Sequence, residues 1–182
     1  MKTILAAGVA AAALVSAASA DVTYTMTNQT WTGFNFSEAY TAGSLTGTLT
    51  GASINVTLNA STNYTYADDL TVYVAGSPLA LGGMLQCGGF SNLNATPGNR
   101  YSWPNGGSSA PGTTSIGTVN FTTGINMAAN PTMSVWIGNG YGAAGTSGTW
   151  TGTITLIGVT AVPAPGAIAL LGLAGLVGRR RR

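Results

Sequence analysis

The chain has 182 residues, enough for one domain with a sizeable core. It holds no histidine and one cysteine, which removes the usual general base, a Ser-His-Asp or Cys-His pair, a zinc site and any intramolecular disulfide. The formal net charge of +2 belongs to the ends: between Asp21 and Pro163, Asp21, Glu38, Asp68 and Asp69 oppose Arg100 alone, a net of −3, and no basic patch is left to neutralise nucleic-acid phosphates.

The first twenty residues read as a secretory signal peptide. Met1-Lys2 is a short basic start, Ile4 to Val15 is an apolar run of Ala, Leu and Val, and Ala18-Ser19-Ala20 is a small-residue cleavage site. Signal peptidase is expected to recognise Ala18 and Ala20 and to cut before Asp21.

From Asp21 to Ala161 the hydrophobic period is two, the period of strands. Val22, Tyr24 and Met26 alternate with threonines, and Phe34 and Phe36 flank Asn35. Leu45, Gly47 and Leu49 form one set, Ile54, Val56 and Leu58 a second, and Leu70, Val72 and Val74 a third. Val119 with Phe121, and Met133, Val135 and Ile137, follow the same rule. The final strand is predicted to be the longest, with Trp150, Gly152, Ile154 and Leu156 on one face and Thr149, Thr151, Thr153 and Thr155 on the other. Threonine suits the wet face, being β-branched and polar. Nothing in this region shows a 3.6 period, and Gly and Asn interrupt it too often for helix. Many short two-faced strands predict an all-β domain, an antiparallel β-sandwich over 21–161, jelly-roll-like because the Cys-Trp-Cys signature of antibody domains is absent.

Two stretches break the pattern. Gly88 to Ser115 is longer than the about 12–15 residues common for structureless loops, so it holds a short strand around Arg100 to Trp103 or forms an ordered surface loop. Gly138 to Gly148 is a second glycine-rich loop. Cys87, beside Leu85 and Gln86, is expected to be buried rather than paired between chains.

The last stretch has three parts. After Val162, which begins the segment, Pro163-Ala164-Pro165-Gly166 is a stiff, non-helical hinge. Ala167 to Gly178 is a run without charge, predicted as a hydrophobic helix that crosses or anchors in the inner membrane. Arg179, Arg180, Arg181 and Arg182 form a basic end that stays in the cytoplasm. This run reaches only about 18 Å as a helix against a bilayer core of about 30 Å, which suits a transient anchor. In the order and spacing of its hinge, Leu/Gly/Ala core and Arg cluster, the segment 162–182 resembles the PEP-CTERM sorting signal of bacterial surface proteins; that family has Glu between the prolines, where this chain has Ala164. The resemblance implies handling by an exosortase, cleavage near Pro163-Ala164-Pro165, and delivery to the cell envelope or an exopolysaccharide matrix.

Two candidate sites remain. Asp68-Asp69, at the entry to the Leu70 strand, is either a Ca²⁺ site completed by Asn and backbone oxygens or a solvated turn, which Asp favours. Arg100, Tyr101 and Trp103 in the long loop, with Tyr141 in the second, either stack on sugar rings or cap the core. With so few carboxylates and no histidine, the expectation is a non-enzymatic surface or matrix protein, with a carbohydrate-binding module as the alternative.

Overall fold

The computed structural model describes residues 21–78, 82–93, 95–96 and 98–163. The expected signal peptide with Ala18 and Ala20, and the tail from Ala164 with Pro165, Gly166 and Arg179 to Arg182, lie outside the described residues. Among those residues no helix is long and apolar enough to cross a membrane.

The domain is all-β and built from two sheets. Its strands are β1 (Val22–Thr32), β2 (Phe36–Tyr40), β3 (Leu45–Thr62), β4 (Leu70–Ala75), β5 (Leu85–Cys87), β6 (Arg100–Tyr101), β7 (Thr114–Asn126), β8 (Ser134–Asn139) and β9 (Ser147–Ala161), with one 3-10 turn, Ala67–Asp69, before β4. One sheet has the order β1-β9-β3-β7, the other β2-β8-β4-β5-β6. The pairs β1·β9, β2·β8, β3·β7 and β4·β5 nest like successive rungs of one long antiparallel ribbon. The ribbon is closed on itself by β3·β9 in one sheet and β4·β8 in the other. β5 and β6 are parallel, so the expectation of a purely antiparallel fold is corrected at that edge. β6 can lie parallel because the long segment after β5 supplies the crossover that parallel pairing requires.

Both sheets feed one hydrophobic core. Met26, Trp31, Leu49, Ile54, Val56, Leu58, Ile154 and Leu156 come from the first, and Leu70, Val72, Val74, Leu85, Cys87, Val135 and Ile137 from the second. Cys87 is a free, buried thiol, and burial pushes its pKa upward. All four tryptophans place their indole N–H on an oxygen: Trp31 on Ser37, Trp103 on the Leu70 carbonyl, Trp136 on that of Ala75 and Trp150 on that of Ala67. A buried indole without such a partner would lose a hydrogen bond to water and gain nothing.

Four details depart from the sequence reading. β3, with 18 residues, is longer than β9, with 15. The sets Leu45-Leu49 and Ile54-Leu58 are out of phase by one residue, which suggests two strands; they form one, because a bulge between Leu49 and Gly51 absorbs the slip. A Cβ at Gly51 would lie 2.7 Å from the Val119 carbonyl oxygen, so glycine is needed there. β4 is buried on both faces, not one. Tyr73 and Ala75, on its far face, join Phe36 and Leu93 in a second small core flanked by Ala95 and Trp136. The chain after β5 covers that face, and buried Gln86 pins it: its Oε1 accepts from Leu93 N–H at 2.9 Å, and its Nε2 donates to the carbonyls of Gly88 at 3.0 Å and Ser91 at 2.8 Å. Finally, Phe34 lies in the turn before β2 and is 39% exposed.

Candidate ligand groove

Asp69 ties three loops together. The loop after β3 turns through Asn63 and Tyr64, both with positive φ (51° and 62°), and enters the 3-10 turn. Asp69 closes that turn by accepting the Tyr66 N–H on Oδ2 at 2.7 Å. Its Oδ1 accepts the Phe90 N–H at 3.1 Å, from the loop after β5. Its backbone carbonyl accepts the Gly140 N–H at 2.8 Å, from the loop after β8. Gly88 and Gly89 (φ 83° and 80°) make the crossing possible, since a Cβ on Gly89 would strike the Thr71 hydroxyl. In the third loop Asn139 Oδ1 accepts the Tyr141 N–H at 3.0 Å, and Thr146 Oγ1 donates to the Tyr141 carbonyl at 2.7 Å.

The convergence places aromatic rings around open space. A cavity of about 310 Å³ is lined by Tyr64, Tyr66, Asp69, Phe90 and Tyr141. A second, of about 210 Å³, shares Tyr66, Asp69 and Phe90 with it and continues past Asp68 to Arg100 and Trp103. Together they form one groove. Tyr64 and Phe90 are each 75% exposed, although large apolar side chains are normally drawn inward. The Phe90 and Tyr141 rings meet edge-on, 5.7 Å apart.

The acids are perturbed by their surroundings. Burial pushes the Asp69 carboxyl up to about 6; the two amide hydrogen bonds oppose this and the neighbouring Asp68 charge reinforces it. Burial also raises Asp68, partly offset by a hydrogen bond to its own backbone. A carboxyl that titrates near 6 could serve as a proton donor, but both oxygens of Asp69 hold backbone amides and its side chain is only 4% exposed. That geometry makes it a clamp. As a calcium ligand it has the same commitments, and among the described residues no three His, Cys, Asp or Glu side chains cluster as a metal-binding group.

Of the residues the sequence singles out, the structure brings five to the groove: Asp68, Asp69, Arg100, Trp103 and Tyr141. Arg100 is exposed, and its Nη2 donates to the Phe90 carbonyl at 2.6 Å, bracing the loop that carries the ring. Trp103 is a correction to the stacking set. It touches the groove but is buried to 5% exposure, with its N–H on Leu70 at 2.7 Å, and belongs to the core. Tyr101 lines neither cavity: its ring lies 4.8 Å from Phe121, and its hydroxyl bonds Thr122 at Oγ1 and accepts the Thr122 N–H, both at 2.9 Å. Sequence reasoning missed Tyr64, Tyr66 and Phe90. The first two carried a signal, two tyrosines at i and i+2 just ahead of Asp68-Asp69; Phe90, alone among glycines and polar residues, carried none.

No family model, curated protein or solved structure matches this chain.

Proposed function

We propose that the chain is an exported, non-enzymatic bacterial surface or extracellular-matrix protein, sorted by an exosortase-type system, whose β-domain binds carbohydrate through this groove. The observation that carries the binding reading is the set of four aromatic side chains that three loops hold around one open cavity. Sugars present apolar C–H faces and hydroxyl edges; tyrosine and phenylalanine offer flat apolar faces, and the Asp68 carboxylate and Arg100 guanidinium offer charged hydrogen-bond partners. The net charge of −3 between Asp21 and Pro163 disfavours polyanionic glycans and suits neutral or cationic ones.

We read the fold as a jelly-roll β-sandwich. The support is the nested ribbon β1·β9, β2·β8, β3·β7 and β4·β5 closed by β3·β9 and β4·β8, with one core between the two sheets. The sorting reading rests on the hinge, apolar run and arginines of 162–182. β9 ends at Ala161 and the Val162 N–H still donates to Ser44, so the hinge begins where the sheet stops.

A polysaccharide panel tests the binding reading. The full-length chain should retain at least one neutral or amino-sugar polymer, Phe90→Ala and Tyr141→Ala should lose it, and none of the polymers should be cleaved. A folded wild-type protein that binds nothing on the panel, or that releases reducing ends, overturns it.

A further inference from the structure

We propose that the larger cavity of the groove is a cage for a methylated ammonium group of the choline type. The inference rests on the groove being a ligand site, as proposed above, but it names a chemistry that a sugar face alone does not require.

The lining of this cavity is three tyrosines, one phenylalanine and one aspartate. A cation near an aromatic face is attracted by the negative charge that the ring carries there, and several rings around one cation add their attractions. A methylated ammonium is the cation best suited to such a site. Its charge is spread over apolar methyl groups, so it loses little hydration on entry, whereas a primary ammonium would give up strong hydrogen bonds to water. The volume of about 310 Å³ admits a trimethylammonium head with its short chain leading out of the open side.

Charge and rigidity point the same way. Asp69 forms part of the wall of the larger cavity, while Asp68 and Arg100 both line the adjoining one, where the Arg100 Nη2 donates to the Phe90 carbonyl. Of the described residues that line the larger cavity Asp69 alone is charged, so a cation entering it meets a complementary charge. Asp69 titrates near 6, so it is an anion at neutral pH and above. The backbone that carries three of the rings is also held in place before any ligand arrives. Tyr66 and Phe90 are tied through their amides to the same carboxylate, and Tyr141 is fixed by Asn139 and Thr146. Tyr64 sits at φ 62°, a conformation that costs an ordinary side chain energy and that glycine adopts freely. The chain keeps a tyrosine there, 75% exposed, where packing gives no reason for one.

The test uses the full-length chain in a polyoxyethylene detergent, which carries neither sugar nor ammonium, and isothermal titration at neutral pH. The probes are choline and its uncharged carbon isostere, in which a tert-butyl group replaces trimethylammonium. Choline should bind at least about tenfold more tightly than the isostere. Phe90→Ala and Tyr141→Ala should each weaken choline by roughly tenfold. Tyr64→Gly keeps the falsification clean, because glycine suits the backbone there and the variant should fold at least as well as wild type while binding choline more weakly. Equal binding of choline and isostere, no binding of choline, or full choline binding by Tyr64→Gly would overturn the proposal. Sedimentation with phosphatidylcholine vesicles, beside titration with free choline, tells a lipid headgroup from a soluble source. Polysaccharide retention measured on the same samples separates the two readings: choline without glycan leaves the cage standing and removes the carbohydrate reading, and glycan without choline does the reverse.

Discussion

Trp103→Ala distinguishes a core tryptophan from a ligand-stacking one. The side chain is 5% exposed, packs in the main core and gives its N–H to the Leu70 carbonyl at 2.7 Å. Emptying a site of this kind costs about 3–5 kcal/mol in lost transfer energy and cavity. Removing the indole N–H takes a donor from Leu70, worth about 1–2 kcal/mol where no water replaces it. The two losses overlap, so about 4–5 kcal/mol is the working figure, a large part of the roughly 5–15 kcal/mol that holds a domain together. Urea denaturation followed by far-UV circular dichroism is the assay, since tryptophan fluorescence changes with the mutation itself. The midpoint should fall sharply, and the melting temperature should drop by roughly 10–20 °C for a domain of this size. Trp103→Phe keeps most of the ring and loses the donor, and should fall between the two. If Trp103→Ala were within about 1 kcal/mol of wild type, with ligand binding lost, the residue would be a stacking platform and the burial argument would fail.

Three further outcomes are expected. Ile154→Asp places an unpaired charge between Tyr24 and Ile54 at a buried position of β9, which costs several kcal/mol, and should give insoluble or unfolded protein; a soluble variant with a wild-type β spectrum would contradict the assigned inward face. Because the folded state raises the Asp69 pKa from 3.8 to about 6, it holds that proton more tightly than the unfolded chain does, so the contribution is full below the lower value and is lost as pH rises through the higher one. Asp68 shifts in the same direction. The unfolding free energy from urea titrations should therefore decline from pH 4 towards pH 6, by on the order of 1–2 kcal/mol, and a value that climbs across this window would show that the carboxyl is stabilised as an anion. For the sorting proposal, mass spectrometry of the native protein should find an N-terminus at Asp21 and a C-terminus near Pro163-Ala164-Pro165, and alanine in place of Pro163 and Pro165 should leave an uncut, membrane-retained precursor; normal processing of that variant would make the hinge irrelevant to sorting.

The strand content was legible in the residues because burial on one face of a sheet leaves a local, alternating trace. Val72, Val74, Ile154 and Leu156 lie in the core as their alternation requires, and Cys87, two residues after Leu85, is buried. The phase slip between Leu49 and Ile54 was visible too, but a slip reads equally as a turn or a bulge, and only pairing on both sides of β3 chose the bulge. The double burial of β4 depends on Leu93 and Ala95, some twenty residues away along the chain, folding over Tyr73 and Ala75, which no local period encodes. The groove shows the same divide. That Arg100 and Tyr141 stand in polar, glycine-rich loops and Asp68-Asp69 at the entry to a strand could be read from the chain. Which rings face solvent was settled by hydrogen bonds between distant segments: Leu70 draws Trp103 inward, Thr122 turns Tyr101 onto β7, and the Asp69 carboxylate holds the amides of Tyr66 and Phe90 from two different loops. A sequence records each residue's chemistry and its near neighbours; the meeting of three loops on one aspartate, two at its carboxylate and one at its backbone carbonyl, exists only once both sheets have closed around their core.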